Sequence, residues 1–219
     1  MRNGFCFLTD NLPTSLGNKG HAIELDTRTS SAVAVLLYLN GNHNPYEKSA
    51  YAVARLCKPK EGYPVLSTRD ACETLECDEA HLAELILTYL AGAPRPKAQQ
   101  TQKNGSKTDS FVKTSKLPLF DFVQDSDAII SAMRQIYGLS IQQIKDMHYW
   151  EFCALFYTLP EGTYFGSLKQ IRSMKIDPKA SPERKAEIRE AKRAFALIDT
   201  RTPEQKKADL QHQIDALEL

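Results

Sequence analysis

Residues 147–159 read MHYWEFCALFYTL. Only His148, Glu151 and Thr158 are polar, and steps of three and seven put them on one strip of a helix. A helix apolar around the rest of its circumference is buried, so this stretch predicts the central helix of a helical domain. Cys153 lies within it, where burial raises a thiol pKa and makes the group inert. Upstream, Ile129, Ile130, Met133 and Tyr137 form a helical stripe that Gly138 stops. Ser140-Ile141-Gln142-Gln143 is a capping box, with Leu139 and Ile144 placed as its hydrophobic staple. Downstream, Pro160-Glu161-Gly162 turns the chain, and Phe165, Leu168 and Ile171 begin a short helix. Ser181-Pro182 opens a charged helix carrying Ile188, Ala191 and Phe195. Thr202-Pro203-Glu204-Gln205 opens the last, with Leu210, Ile214 and Leu217 on one side.

The first half starts differently. LPTSLGNKGHAIEL, residues 12–25, flanks Gly17-Asn18-Lys19-Gly20 with two short runs and predicts a β-hairpin. Val33, Leu36, Leu37 and Leu39 then recur at helical spacing. Asn44-Pro45-Tyr46-Glu47 supplies an N-cap, a Pro at N1 and a Glu at N3, and the helix it starts should run to about Leu56. Pro59, Gly62 and Pro64 break the chain. A further helix should begin near Asp78, carry Leu82, Leu85, Ile86, Tyr89 and Leu90 on one face, and end at Gly92. The fold class expected is mainly α: a helical two-part protein with a small N-terminal β-hairpin.

Between the halves, residues 95–117 hold six basic residues against one acidic, a net of +5, and almost no large apolar residue. Such a segment cannot bury enough apolar surface to offset its ordering entropy, which predicts a flexible basic linker. It reads either as a self-repelling tether or as a weak dock for an acidic partner. The expected division is therefore an N-terminal hairpin-plus-helices domain at 1–94, the linker at 95–117 and a C-terminal helical domain at 118–219.

Across 219 residues the formal net charge is +1, with 42% hydrophobic and 25% charged residues. Near-neutrality argues against a nucleic-acid coat or a binder of anionic membranes. No apolar run approaches the roughly 18 residues of a membrane helix, and MRNGFCFLTD lacks the apolar core of a signal peptide. Five cysteines, at 6, 57, 72, 77 and 153, read as reduced cytosolic thiols. The chain has no GxxxxGK[ST] loop, no GxGxxG after a strand and no GxSxG elbow. Cys72 and Cys77 are five apart rather than CxxC, so separate thiols are expected there and no metal or other cofactor. His148 beside Trp150 reads as a hydrogen-bonded helix histidine, with a catalytic base as the alternative. No enzymatic activity is expected.

Two groups suggest binding. Tyr149, Trp150, Phe152, Phe156 and Tyr157 are a dense aromatic cluster, either core packing or an interface with an exposed anchor. Residues 175–193 hold seven basic side chains against four acidic ones, a solvated helix face or a nucleic-acid contact. Interleaved Glu would repel phosphate.

The string FDFVQDSDAIISAMRQIYGLSIQQIKDMHYWEFCALFYTLPEGTYFGSLKQIRSMKID, residues 120–177, resembles the bacteriophage gene product fifteen family. The marks are Asp121, Phe122 and Asp125, then Tyr137-Gly138-Leu139, His148-Tyr149-Trp150 and Phe152 to Phe156. Leu159-Pro160-Glu161, Ile171-Arg172-Ser173-Met174, and Ala196-Leu197 with Asp199 and Arg201 complete the similarity. The family commonly has two Trp where this chain has Tyr149-Trp150. The hairpin and Asp26-Thr27-Arg28-Thr29 are similar too, so the resemblance spans nearly everything outside the linker.

That resemblance implies a phage tail assembly chaperone encoded near the tape-measure gene. Such a protein binds the tape-measure protein and keeps it soluble while the tail tube assembles. The partners implied are the tape-measure protein, with the major tail protein and a second copy of the chain as further ones; membrane and nucleic acid are not expected. Capture would be helix-in-groove. The expected contact residues are Tyr149, Trp150, Leu210, Ile214 and Leu217. Action in the host cytoplasm and absence from the mature virion follow from the same resemblance. The alternatives are a structural tail completion or connector protein, and a nucleic-acid-binding phage regulator using 175–193.

Overall fold

A computed structural model describes residues 11–59, 64–92 and 119–199. It is mainly α with a small hairpin, as expected. Among the described residues there are two strands, β1 (Ser15–Asn18) and β2 (His21–Glu24), and nine helices. These are α1 (Thr29–Asn40), α2 (Pro45–Leu56), α3 (Thr68–Leu75), α4 (Glu79–Gly92), α5 (Ser126–Tyr137), α6 (Ile141–Asp146), α7 (Tyr149–Tyr157), α8 (Tyr164–Ser173) and α9 (Pro182–Ala194).

The hairpin turns where the sequence tolerates positive φ. Lys19 sits at φ 47° and Gly20 at φ 89°, a two-residue connection whose twist matches that of the paired strands. The register sets Leu16 opposite Ile23, and both are buried. Asn18 donates its side-chain amide to the Leu75 carbonyl at 2.8 Å, satisfying an acceptor that the end of α3 leaves open. Both capping boxes form as read, at Asn44 for α2 and Ser140 for α6. Gly138, at φ 69°, ends α5.

Three local expectations are corrected. First, α3 was not expected; its start signal is Ser67, whose hydroxyl accepts from Asp70 N–H at 3.1 Å. Second, α1 does not bury Val33, Leu36, Leu37 and Leu39. Its buried residues are Thr29, Ser31, Ala32 and Val35, because the helix is apolar on most sides and its small-residue face is the one that neighbouring helices can approach closely. Third, the helix expected from Met147 begins at Tyr149. Met147 and His148 are extended and pair instead with residues 27–29.

The domain division is corrected as well. One compact unit joins the described residues 11–92 to 129–159, and a second joins 119–128 to 160–199. The cause in the first unit is backbone pairing across the chain. Thr29 N–H donates to Met147 O at 2.9 Å and Tyr149 N–H to Thr27 O at 2.7 Å. The expected linker and the helix expected after Thr202 lie outside the described residues.

In the first unit, α7 is the buried helix that its sequence predicts. Tyr149, Phe152, Cys153 and Phe156 are buried, while Glu151 and Thr158 on the polar strip are exposed. Phe152 and Phe156 stack at 5.6 Å between ring centroids. In the second unit, Thr163 caps α8: its buried hydroxyl accepts from Gly166 N–H at 3.0 Å and donates to Pro160 O at 2.9 Å. A Cβ at residue 166 would come within 2.6 Å of the Pro160 and Glu161 carbonyl oxygens, so only glycine fits. Phe165 is fully buried, edge-on to Phe120 at 6.0 Å.

Removing the Phe156 ring from this packed helix leaves a cavity, and Phe156→Ala should destabilise by about 3–5 kcal/mol. Glu151→Ala should change stability by less than about 0.5 kcal/mol. Chemical denaturation of both variants checks the contrast; equal losses would mean that α7 does not supply the core.

Candidate functional site

The aromatic group singled out in the sequence sits in the first unit. Tyr149 is 3% exposed, so it offers no surface to a partner, which corrects its place among the contact residues. Its burial follows from the strand-like pairing just before α7, which turns the first residue of the helix inward. Trp150 is half-buried. Its indole N–H donates to Tyr89 O at 3.0 Å, and its ring stacks on Tyr89 at 6.1 Å. A Cβ at Gly92 would meet Trp150 Cζ2 at 2.9 Å, so the end of α4 is fitted to the indole. Trp150 is thus committed to joining α7 and α4. Leu210, Ile214 and Leu217 lie outside the described residues.

His148 is the N-cap of α7. Its Nδ1 accepts from Trp150 N–H at 3.1 Å, and Nε2 lies 2.9 Å from Pro13 O. A carbonyl only accepts, so a neutral ring with its proton on Nε2 satisfies both contacts. The imidazole is therefore tied at both nitrogens, as a hydrogen-bonded structural histidine would be. Cys57 is buried, and burial pushes its thiol up to about 12. It lines an open groove of about 510 Å³ with Leu25, Asp26, Arg28, Arg55 and Lys58. Two of the basic charges there are paired: Arg28 binds Asp26 at 2.7 Å and Lys58 binds Glu24 at 2.5 Å. Hydrogen bonds from the Arg28 side chain hold the Asp26 carboxyl at about 2 against the opposing effect of burial; the Ser31 hydroxyl and the Arg28 N–H add to them. Cys72 and Cys77 are free thiols, both partly buried, and burial pushes the Cys72 thiol up. Among the described residues no group of three or more His, Cys, Asp or Glu could hold a metal ion.

The second unit is organised by a feature that the sequence reading passed over. Asp125 and Arg172 form a bidentate ion pair, with Nη1 at 2.6 Å from Oδ2 and Nη2 at 2.8 Å from Oδ1. Their side chains are 3% and 11% exposed. Arg172 also donates to Phe195 O at 2.7 Å and Leu119 O at 3.1 Å. One guanidinium therefore ties the segment entering α5, helix α8 and the segment leaving α9. Burial alone would raise the Asp125 carboxyl, but the bonds from Arg172 and from Asp121 N–H hold it below the usual carboxylate range. Gln124 completes the strap: its side chain donates to Ile198 O at 3.0 Å and accepts from Ile198 N–H at 2.8 Å.

On the segments so joined, three large apolar side chains face solvent: Leu119 at 44%, Val123 at 61% and Ile198 at 74%. They are exposed apolar positions that sequence reasoning missed. Asp125 and Arg172 were both visible as marks, but their pairing 47 residues apart has no local signal.

On α9 the basic side chains are largely answered from within. Arg184 pairs with Glu187 at 2.9 Å, Lys185 donates to Pro178 O at 2.7 Å and Lys192 to Met174 O at 2.6 Å. This is a solvated and self-paired helix face. No helix among the described residues is long and apolar enough to cross a membrane.

The chain belongs to the bacteriophage Gp15 protein family, whose sequence model matches residues 8–197. It is in general terms a phage structural or assembly protein. No curated protein and no solved structure gave a significant match.

Removing one partner of the buried pair strands the other charge, so Arg172→Gln should cost about 3–5 kcal/mol. The double variant Asp125→Asn/Arg172→Gln should recover part of that loss in urea titrations. A single-variant loss below about 1 kcal/mol would refute the bracing role. Acid should also act through these carboxylates. Asp26 and Asp125 are both depressed in the folded protein, so the unfolded chain binds more protons as pH falls. The stabilisation from Asp26 is complete well above the ordinary value of 3.8 and drains away between there and about 2, and that from Asp125 is likewise lost as pH falls below 3.8. Thermal melts at stepped pH should show a plateau near neutrality and a fall below about pH 4, less steep in Asp26→Asn.

Proposed function

We propose that the protein is a non-enzymatic tail assembly chaperone. It binds the tape-measure protein and keeps it soluble in the host cytoplasm while tail-tube subunits assemble, and it is absent from the finished virion. Membership of the phage family supports the general setting. The observation that carries the finer reading is the trio Leu119, Val123 and Ile198, exposed on segments that Gln124 and Arg172 hold in place. A tape-measure protein is a long helical chain whose apolar stripe is uncovered until the tube surrounds it. Apolar side chains on a braced support can cover such a stripe with little ordering cost, since the support is fixed before binding. Tyr149 leaves the set of contacts for the reason given above, and Trp150 acts on binding through the α4–α7 packing.

Co-expression with the cognate tape-measure protein should yield a soluble complex, while tape-measure protein alone aggregates. Val123→Asp/Ile198→Asp should lose capture at an unchanged melting temperature, because neither side chain is buried. Mass spectrometry of purified particles should find at most traces of the protein. Failure of the wild type to keep any tape-measure segment soluble would overturn the chaperone reading. Stoichiometric presence in particles would favour a tail completion or connector protein.

A further inference from the structure

Helix α3 ends in a way that brings two thiols together. After Leu75 the chain enters the left-handed region at Glu76, with φ 49° and ψ 48°. Cys77 N–H then donates to Cys72 O at 3.1 Å. This is the 6→1 hydrogen bond of a Schellman cap, which sets the side chain two residues past the cap against the one in the last full turn. Here those two side chains are Cys77 and Cys72. Their thiols are free and only partly buried, so a small reagent reaches them. Cys57 and Cys153, in contrast, are buried.

We propose that Cys72 and Cys77 are a disulfide-forming pair, a modification site that a two-electron thiol oxidant closes across the α3 C-cap. Burial, followed by Cys77 and the acidic groups of Glu79 and Asp78, pushes the Cys72 thiol up, which suits Cys72 to the resolving role and leaves the attack to the Cys77 sulfur. With an azodicarboxamide oxidant, the Cys77 sulfur adds to one nitrogen of the N=N bond and its proton goes to the other nitrogen. The Cys72 sulfur then attacks the Cys77 sulfur. The S–N bond breaks, and the second proton goes to the departing nitrogen. One S–S bond forms, two S–H bonds are lost, the sulfurs are oxidised and the azo group is reduced to a hydrazine. The product fixes the end of α3 to the residue just before the Asp78 turn into α4, at a site where the backbone bond from Cys77 N–H to Cys72 O already holds the two residues together.

The test treats the full chain with azodicarboxamide, unfolds it in denaturant with N-ethylmaleimide, and maps the tryptic peptides. The peptide beginning at Asp70 carries both cysteines. It should appear two hydrogens lighter and unlabelled, while Cys57 and Cys153 take the label. Prior dithiothreitol should restore labelling at both positions. In Cys72→Ser the mass loss should vanish and Cys77 should label, with circular dichroism showing an unchanged helix content. Labelling of both Cys72 and Cys77 in the oxidised wild type would overturn the proposal. So would their recovery only in disulfides between two chains.

Discussion

The short pairing of residues 27–29 with 147–149 is the constraint on which the first unit depends. It joins points about half the chain apart through two backbone hydrogen bonds, a third from the Thr29 hydroxyl to Met147 O, and the His148 contact with Pro13 O. Closing so long a loop costs conformational entropy that grows only slowly with length. What offsets it is the burial that follows at once on both sides. On one side α1 turns Ala32 and Val35 inward; on the other α7 turns in Tyr149, Phe152 and Phe156. Asp26 and Ser31 brace the same corner, their side chains 2.7 Å apart, and Asp26 N–H binds Leu56 O to bring in the end of α2. The corner thus decides which faces of α1, α2 and α7 become core.

The second unit is smaller and solves its problem with charge. A compact unit built from α8, α9 and two irregular segments has little apolar area to hold those segments. Arg172 binds both, through Leu119 O and Phe195 O, and neutralises itself on Asp125. Buried ion pairs give little net stability, because desolvation consumes most of the Coulombic gain. Their geometry is nonetheless strict, and a planar fork reaching a carboxylate and two carbonyls admits one arrangement of three strands of chain. A Met or Leu in place of Arg172 could fill the space but could not specify where Leu119 and Phe195 go. The exposure of Leu119, Val123 and Ile198 follows from that specification, since an irregular segment held by its backbone need not turn its side chains inward.

How much of this was legible depends on how local each signal is. The caps at Asn44 and Ser140, the positive-φ turn at Lys19-Gly20, the stop at Gly138 and the buried character of α7 each rest on a few neighbouring residues, and each appears in the structure. The α1 face did not follow from spacing, because a helix apolar on most sides has several faces that could be core. Helix α3 has only eight residues, and its buried set of Thr68, Ala71 and Leu75 holds a single large apolar side chain, so its Ser67 cap was the clearest sign. The 27–29/147–149 pairing and the Asp125–Arg172 pair join residues far apart in sequence, and no composition or spacing marks them. The division into halves failed for the same reason: a change in composition shows where the chain is polar, not which segments pack together.

The placing of Tyr149 among the candidate contacts failed in an instructive direction. Aromatic side chains are the usual anchors of interfaces, and the sequence places five of them between Tyr149 and Tyr157. The fold spends them internally: Tyr149 and Phe156 are buried, and Trp150 gives its N–H to Tyr89 O. The three apolar side chains exposed on the strap, Leu119, Val123 and Ile198, are aliphatic and sit on irregular chain, where no periodicity exists to expose them to inspection. Where function is binding rather than catalysis, this is the general difficulty. Catalysis demands particular residue types at particular spacings, so it leaves a signature in sequence. Covering an apolar stripe demands only unburied methyl groups on a fixed support, and whether a Val or Ile is unburied is decided by contacts such as Gln124 with Ile198, 74 residues away.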